Sequence, residues 1–300
     1  MRYAKGFKLA LVTAGFSGAA IFLNSLTVKA VGNALVFTTV KNLGVAIILG
    51  AIILRQKINW GEVKNQWRRL LLIGIIGGSL PFYLFFQGLM TANSATAALI
   101  HKTLIFWVAL WAVPVFKEKI SVKQWLALGL IFGSNFIIGG IPHSASGYVW
   151  GRGETMILGA TLLWAIENII AKVTLKNLSA EVVGGARMII GSMILLALTL
   201  AGGKINLIFK LNGSQWLMTL ISIGLLTGYV LSWYKALKLA PVTLVATALT
   251  LATIVTNVLS SIFITHLFNV KLFYQTILLV IGMAVFVREA GKHERTLALR

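Results

Sequence analysis

The chain has 300 residues, of which 58% are hydrophobic and only 11% are charged, so too few polar side chains exist to cover a soluble globule of this mass. This composition excludes an ordinary soluble enzyme and indicates that most of the surface faces lipid. Cysteine is absent and all seven acidic residues are glutamate, which excludes a disulfide framework and disfavours carboxylate-rich metal sites; we expect neither a metal nor a cofactor.

Ten apolar stretches of about 20 residues follow one another along the chain and predict ten transmembrane helices. The first stretch is too long for a cleaved signal peptide and is followed at once by a second span. No gap is long enough for an extramembrane domain. The predicted spans are Phe7 to Val28, Asn33 to Leu54, Leu70 to Met90, Asn93 to Phe116, Val122 to Ile141, Glu154 to Leu175, Ser179 to Ala201, Trp216 to Ala236, Val242 to Ile264 and Val270 to Val287.

The basic residues between these spans lie mostly on one side of the membrane. With the N-terminus in the cytoplasm, nineteen Lys and Arg residues fall on the cytoplasmic side and five on the external side. Such a bias is typical of cytoplasmic loops, so both termini are predicted to be cytoplasmic. The net charge of +20 is thus explained by topology and gives no support for nucleic-acid binding.

A weak internal repeat relates the two halves of the chain. A shift of 148 positions aligns Phe86-Gln-Gly-Leu with Tyr234-Lys-Ala-Leu, and Phe16 with Trp164. Because each half contains an odd number of helices, the second half enters the membrane from the opposite side. We therefore predict an all-α membrane protein of two inverted five-helix repeats, at residues 1–141 and 154–300, joined by an external linker at 142–153. The second repeat ends in a short basic cytoplasmic tail.

Several segments resemble the EamA-type repeat of the drug/metabolite transporter superfamily. One is Trp111-Ala-Val-Pro-Val-Phe-Lys-Glu-Lys-Ile-Ser followed by Lys123-Gln-Trp-Leu, where Lys117 replaces the usual glycine of the turn after the fourth helix. Others are Leu162-Leu-Trp-Ala-Ile-Glu-Asn and Gly184-Gly-Ala-Arg-Met-Ile-Ile; the second turn, Thr265-His-Leu-Phe-Asn, lacks the acidic residue. The resemblance covers essentially the whole chain. It implies a central polar cavity that opens alternately to either side, in a family that exports amino acids, related metabolites or drugs.

Cationic side chains well inside predicted spans are the first candidates for function, because each costs at least ~2.5–3.5 kcal/mol unless it faces a cavity or a partner. Lys102 lies near the centre of the fourth span and is a candidate contact for a substrate carboxylate or phosphate; the alternative is a buried ion pair with Glu167. Lys41 and Arg187 occupy matching places in the two repeats. Both are candidate substrate-binding residues, with a structural network as the alternative.

Glu167 is the only acidic residue well inside a span and is the candidate for proton coupling. Two alternatives stay open, namely permanent pairing with a buried Lys or Arg and binding of a substrate ammonium. His101 points about 100 degrees away from Lys102 on a helix, so the two are not expected to share one narrow face. For His101 we favour helix packing, with pH sensing as the alternative.

Neutral side chains complete the predicted site. Trp164 and Tyr83 offer flat surfaces for an apolar or aromatic part of a substrate, and Asn168 is a candidate polar contact. Packing or hydrogen bonding between helices is the alternative for each.

The sequence as a whole favours an alternating-access carrier of small polar metabolites in the inner membrane, acting as an exporter of amino acids or similar compounds. Its expected partners are a metabolite, the lipid bilayer and protons. The alternatives are an exchanger of organic anions or sugar phosphates, and a membrane scaffold without transport. No P-loop or nucleophile motif occurs, so we expect neither ATP hydrolysis nor enzymatic activity.

Overall fold

The computed structural model describes residues 2–92, 94–139, 150–267 and 270–298, and within these ranges the regular structure is entirely helical. Two π-helical segments, Gly74–Ser79 and Ser261–Thr265, interrupt the α-helices. The α-helices are α1 (Arg2–Val31), α2 (Ala34–Leu54), α3 (Trp60–Asn65), α4 (Trp67–Ile73), α5 (Leu80–Leu89), α6 (Ser94–Lys102), α7 (Leu104–Phe116), α8 (Val122–Ser134), α9 (Phe136–Gly139), α10 (Arg152–Thr174), α11 (Ala180–Ala201), α12 (Ile205–Phe209), α13 (Gly213–Leu239), α14 (Val242–Leu249), α15 (Ala252–Ser260) and α16 (Val270–Ala298).

Nine helical segments in the described ranges are long and apolar enough to cross a membrane, so the chain is an all-helical, multi-pass membrane protein. They correspond to nine of the ten predicted spans. The segments are Tyr3–Val31, Ala34–Leu54, Trp67–Leu89, Leu99–Phe116, Arg152–Thr174, Ala180–Ala201, Gly213–Leu239, Val242–Thr265 and Val270–Lys292.

The one remaining predicted span is the fifth, Val122 to Ile141. It is described as far as Gly139 and consists there of α8 and α9, separated at Asn135. Several predicted features lie outside the described residues. They are the start of the fourth span at 93, the end of the fifth span at 140–141, residues 142–149 of the linker, residues 268–269 of the second turn and the tail end at 299–300.

Polar caps fix where several helices begin. Before α8, the Gln124 amide N–H donates to Ser121 Oγ at 3.3 Å and the Ser121 amide N–H donates to Gln124 Oε1 at 2.9 Å. Asn212 and Gln215 exchange the same pair of bonds before α13, at 2.8 and 2.9 Å. These reciprocal bonds satisfy amide groups that a helix leaves unpaired at its N-terminus, so the sequence marks both starting points locally.

The fourth and ninth spans are both broken near their middle. Thr103 separates α6 from α7, and its hydroxyl donates to the Ile100 carbonyl at 2.6 Å. Thr250 and Leu251 separate α14 from α15, and the Thr250 hydroxyl donates to the Thr247 carbonyl at 2.6 Å. Such side-chain bonds compete with the helical ladder and bend it. Because of the break at Thr103, α6 ends at Lys102 inside the bundle.

The third span is distorted where it crosses the helices of the second half. In its π-helical segment, two backbone carbonyl groups accept hydrogen bonds from side chains. Trp164 Nε1 donates to the Gly77 carbonyl at 3.1 Å, and Asn42 Nδ2 donates to the Gly78 carbonyl at 3.1 Å. Segments of this kind are often found at functional sites in helices. The distortion therefore ties the third span to both α2 and α10.

Gly78 permits the closest approach between the third span and α11. A Cβ atom at Gly78 would lie 1.9 Å from the Arg187 carbonyl oxygen, and one at Gly191 would lie 2.4 Å from the Gly78 carbonyl carbon. Backbone atoms cannot rotate away as a side chain can. The small residues at this crossing thus set the distance between the two helices.

The main helix pairs each join one helix from residues 1–139 to one from residues 150–298. Helix α1 packs along α13, α2 along α11, α5 along α10, α7 against α14 and α8 along α16. The core consequently forms between the two halves of the chain. Exposed Leu, Ile, Val and Phe side chains on the outside of the bundle suit a lipid environment.

A carboxylate from the first half of the chain binds the start of a helix in the second half. Glu118, in the turn between α7 and α8, accepts from the Val242 amide at 3.0 Å with Oε1. Its Oε2 accepts from the Thr243 hydroxyl at 2.6 Å and the Thr243 amide at 3.4 Å. Pro241, which precedes α14, provides no side-chain cap. Glu118 thus caps a helix of the other half.

We predict that Gly78→Ala lowers the melting temperature of the purified protein by several degrees, since overpacking of a tight contact costs about 1–3 kcal/mol or more. Gly129→Ala on α8 is the matched control, because a Cβ atom there has nothing within 4 Å. Thermal melts in detergent measure both. Equal melting temperatures for the two variants would contradict the role of Gly78.

Candidate functional site

Two adjacent cavities lie between the halves of the bundle. The larger has a volume of about 390 Å³ and the smaller about 100 Å³. The larger volume is within the range of small-molecule sites. The cavities are adjacent, and both are lined by Ser17, Asn24, Phe85, Phe86 and His101.

Lys102 lies in the wall of the larger cavity at the end of a chain of hydrogen-bonded amides. Its ammonium donates to Asn135 Oδ1 at 2.6 Å. Gln275 Nε2 donates to the same oxygen at 3.2 Å, and Asn257 Nδ2 donates to Gln275 Oε1 at 2.7 Å. All four residues line the larger cavity. The chain joins α6, α15 and α16 at the break between α8 and α9.

In this series of hydrogen-bonded side chains, most acceptor atoms are already used, so mainly N–H donors remain for a ligand. The carboxamide oxygens of Asn135 and Gln275 already accept bonds, and Asn135 Nδ2 donates to the Ile131 carbonyl at 2.8 Å. A lysine ammonium has three N–H groups, and one of those of Lys102 is used by Asn135. The remaining N–H groups suit a carboxylate or another anionic group.

His101 also lines both cavities, although we expected it not to share a narrow face with Lys102. The two residues end α6, and the larger cavity is wide enough to reach both side chains. The His101 ring packs edge-on against Phe85 and Trp164, with centroids 5.1 and 5.2 Å away. These contacts agree with the predicted packing role, while the cavity adds access to a ligand.

Glu167 and Arg187 line the smaller cavity and approach each other across Gly77. Glu167 is 1% exposed, and its Oε1 accepts from the Tyr234 hydroxyl at 2.5 Å. The Arg187 guanidinium lies over the rings of Phe82 and Tyr234, at 5.5 and 5.9 Å from their centroids. The carboxylate is therefore held by a tyrosine on α13 rather than by a lysine.

The ion pairs that were alternatives for Glu167 do not form. Among the described residues, salt bridges join Lys235 to Glu181 and Lys292 to Glu289, and none joins Glu167 to a buried cation. Lys102 and Glu167 line different cavities. Glu167 thus lies beside Arg187 at the smaller cavity without a salt bridge among the described residues, whereas Lys102 lies in the wall of the larger cavity.

Lys41 is fully buried and surrounded by aromatic rings. Its ammonium lies 4.7, 5.3 and 4.2 Å from the ring centroids of Phe37, Phe82 and Phe86, and has no hydrogen-bond partner among the described residues. Cation–π attraction offsets part of its desolvation. Lys41 is absent from the described residues that line either cavity, so its predicted role in substrate binding stays a prediction.

The neutral candidates occupy different places. Trp164 and Asn168 line the smaller cavity, where Asn168 Oδ1 accepts from Trp233 Nε1 at 3.1 Å. Tyr83 is half-buried and is absent from the described cavity walls. Trp164 forms a continuous aromatic surface with Phe82 and Phe85, at 5.4 Å between centroids in each case. The structure thus brings together Trp164, Asn168, Glu167 and Arg187.

Two polar residues of the site were not among the predicted contacts. Gln275 donates to Asn135, and Tyr234 donates to Glu167. Each lies inside a predicted span, where a polar side chain calls for a partner. That depth was the available signal, but the partner on another helix is set by tertiary packing.

Comparisons with known proteins agree with this architecture. The sequence model described as "EamA-like transporter family" matches residues 4–140 and 151–288. A curated protein of Methanothermobacter thermautotrophicus, described as an uncharacterized transporter, is 22% identical over 147 residues, which are 47% of this chain and 41% of that protein. The chain thus matches less than half the length of this curated relative.

The fold is also found in a solved crystal structure. It superposes on the chain with a TM-score of 0.74 at 15% identity, covering 95% of this chain and 98% of that one. At this identity the likeness shows the fold alone. The family match extends over both halves, and the resemblance seen in the sequence is confirmed. The chain therefore belongs to the EamA-like transporter family.

Proposed function

We propose that the protein is an alternating-access carrier that transports small metabolites with an anionic group, in particular amino acids, across the inner membrane. The observation that carries this proposal is the donor-rich chain from Lys102 to Asn257 in the wall of a cavity between the two halves. A buried ammonium that faces a cavity matches the typical place of a substrate contact in carriers.

The aromatic wall favours a substrate with an apolar or aromatic part. Phe85 and Phe86 line both cavities, and Trp164, which packs against Phe85, lines the smaller one. Such rings pack well against an apolar or aromatic group of the substrate, whereas they are poorly suited to a phosphate group. An exchanger of organic anions is the second candidate, favoured by the cations Lys102 and Arg187 in adjacent cavities.

The helix pairing supports two inverted repeats. Exchanging the first five predicted spans with the last five turns the pair of α1 and α13 into the pair of α10 and α5. The pairs α2 with α11, α7 with α14 and α8 with α16 map onto themselves. The breaks at Thr103 and Leu251 are also 148 positions apart, the spacing of the sequence repeat. Together with the basic loops, this supports ten helices with both termini in the cytoplasm.

We predict that Lys102→Met reduces substrate exchange in proteoliposomes at least about 10-fold, because a hydrogen bond to a charged group contributes about 1.5–3 kcal/mol. Uptake of a panel of radiolabelled amino acids and organic acids measures the effect. Lys119→Met, in an exposed turn, is the control and should transport normally. Absence of uptake of every compound by the unmodified protein, or full activity of Lys102→Met, would refute the proposal.

We further propose that Glu167 couples transport to protons. Glu167→Gln should remove the dependence of the uptake rate on an imposed pH gradient, since the amide keeps the shape of the side chain but cannot take up a proton. Glu62→Gln in α3, outside the spans, is the control. An unchanged response to the gradient in Glu167→Gln would exclude this role.

The contact of Glu118 with α14 is proposed to hold one end of the carrier closed. Glu118→Gln should open that end more often, since a carboxylate cap at a helix N-terminus contributes about 1 kcal/mol. Because the chain lacks cysteine, Ala246→Cys in the cavity wall provides a single reporter. We expect an impermeant maleimide added from the Glu118 side to label it several-fold faster in Glu118→Gln. Labelling at the rate seen with Glu62→Gln would rule out the closure role.

A further inference from the structure

We propose that Asn24 and His101 form an acceptor pair that binds the amino group of the substrate and makes the carrier select amino acids over the same acids without an amino group. The inference rests on the proposed function, since it assumes that the anionic group binds at Lys102. It assigns a role in substrate selection to two residues on different helices, α1 and α6.

The first observation is that these two side chains have buried polar atoms without partners. Asn24 Oδ1 and His101 Nδ1 have no hydrogen-bond partner among the described residues. A buried acceptor that stays unpaired costs about 1–3 kcal/mol, so native proteins keep few of them without a reason. Both residues line both cavities, and a ligand in the shared region can therefore reach either atom.

Neighbouring hydroxyl groups on α1 show that this arrangement is specific to Asn24. The Ser25 hydroxyl donates to the Phe22 carbonyl at 2.7 Å, and the Thr27 hydroxyl donates to the Leu23 carbonyl at 2.8 Å. These groups satisfy themselves within their own helix. The carboxamide oxygen of Asn24 cannot do so, because helix carbonyls offer it no donor. It remains available to a group that enters the cavity.

The second observation is that acceptors and donors stand side by side. His101 and Lys102 are consecutive residues, and both face the larger cavity. The Lys102 chain offers N–H donors, whereas Asn24 Oδ1 and, in the Nε2–H tautomer of the imidazole, His101 Nδ1 offer lone pairs. An α-amino acid carries a carboxylate and an ammonium on one carbon atom. Its carboxylate thus matches the N–H donors of the Lys102 chain, and its ammonium matches the acceptors of Asn24 and His101.

The surroundings favour an ammonium as the donor. The rings of Phe85 and Trp164 pack against the His101 imidazole, and both rings line the smaller cavity beside it. Aromatic faces attract a cation. No acidic residue occurs among the described residues that line the larger cavity. Neutral acceptors and rings can hold an ammonium without keeping a fixed opposite charge after it leaves.

Two variants remove the acceptors with little change in shape. His101→Phe keeps an aromatic ring against Phe85 and Trp164 but loses Nδ1, and Asn24→Leu keeps similar volume but loses the oxygen. The matched control is Thr27→Val on α1, whose hydroxyl is bonded within the helix and which is absent from the described cavity walls. Asn24→Asp is a variant with the opposite expectation, since a carboxylate attracts an ammonium more strongly.

The test is the affinity of purified full-length protein, measured by calorimetry, for L-phenylalanine, 3-phenyllactate and 3-phenylpropionate, and for the corresponding three compounds with the leucine side chain. These differ only in having an amino group, a hydroxyl group or a hydrogen atom. We expect the unmodified protein to prefer the amino acid over the deaminated acid at least about 10-fold in one series. The hydroxy acid should fall between them.

In that series each of His101→Phe and Asn24→Leu should lose most of this preference, through weaker binding of the amino acid and an unchanged affinity for the deaminated acid. Thr27→Val should keep the preference, and Asn24→Asp should increase it. Two outcomes would overturn this inference but not the proposed function. In one, the unmodified protein binds all compounds of a series with equal affinity; in the other, both acceptor variants keep the full preference. Binding of none of the six compounds, or tight binding by Lys102→Met, would overturn the proposed function and this inference with it.

Discussion

A charged side chain within a lipid bilayer must be hydrogen-bonded, paired or placed beside a cavity, and this constraint governs the arrangement of the whole bundle. Lys102 meets it through Asn135, which also accepts from Gln275 on α16. Satisfying one ammonium thus requires the fourth, fifth and tenth spans to meet at one place. The larger cavity lies beside this meeting point.

The three buried cations meet this constraint in three ways. Lys102 uses amide oxygens at a cavity, Lys41 is enclosed by three phenylalanine rings, and Arg187 lies over aromatic rings beside the smaller cavity. The first arrangement leaves N–H groups facing the cavity, whereas the second encloses the ammonium. Burial alone consequently does not separate a binding residue from a structural one, and the neighbouring groups decide.

Departures from regular α-helix position the site. The break at Thr103 puts His101 and Lys102 at the end of a helix, and the π-helical segment from Gly74 to Ser79 brings Gly77 against Glu167 and Arg187. In a regular α-helix, the carbonyl groups of Gly77 and Gly78 would accept backbone hydrogen bonds within the same helix. The side chains beside these departures, namely His101, Lys102, Glu167 and Arg187, line the cavities.

The sequence by itself determined the membrane location, nine of the spans and the family, because apolar length, turn motifs and helix caps are local properties of the chain. It also singled out Lys102, Glu167 and Arg187, since a charge inside an apolar stretch is visible without a structure. The sequence did not reveal that Tyr234 bonds to Glu167, that Gln275 completes the chain at Asn135, or that Lys41 is enclosed by rings. Only the tertiary structure decided these points, because the partners lie on other helices and their distance depends on close backbone crossings such as that of Gly78 with α11.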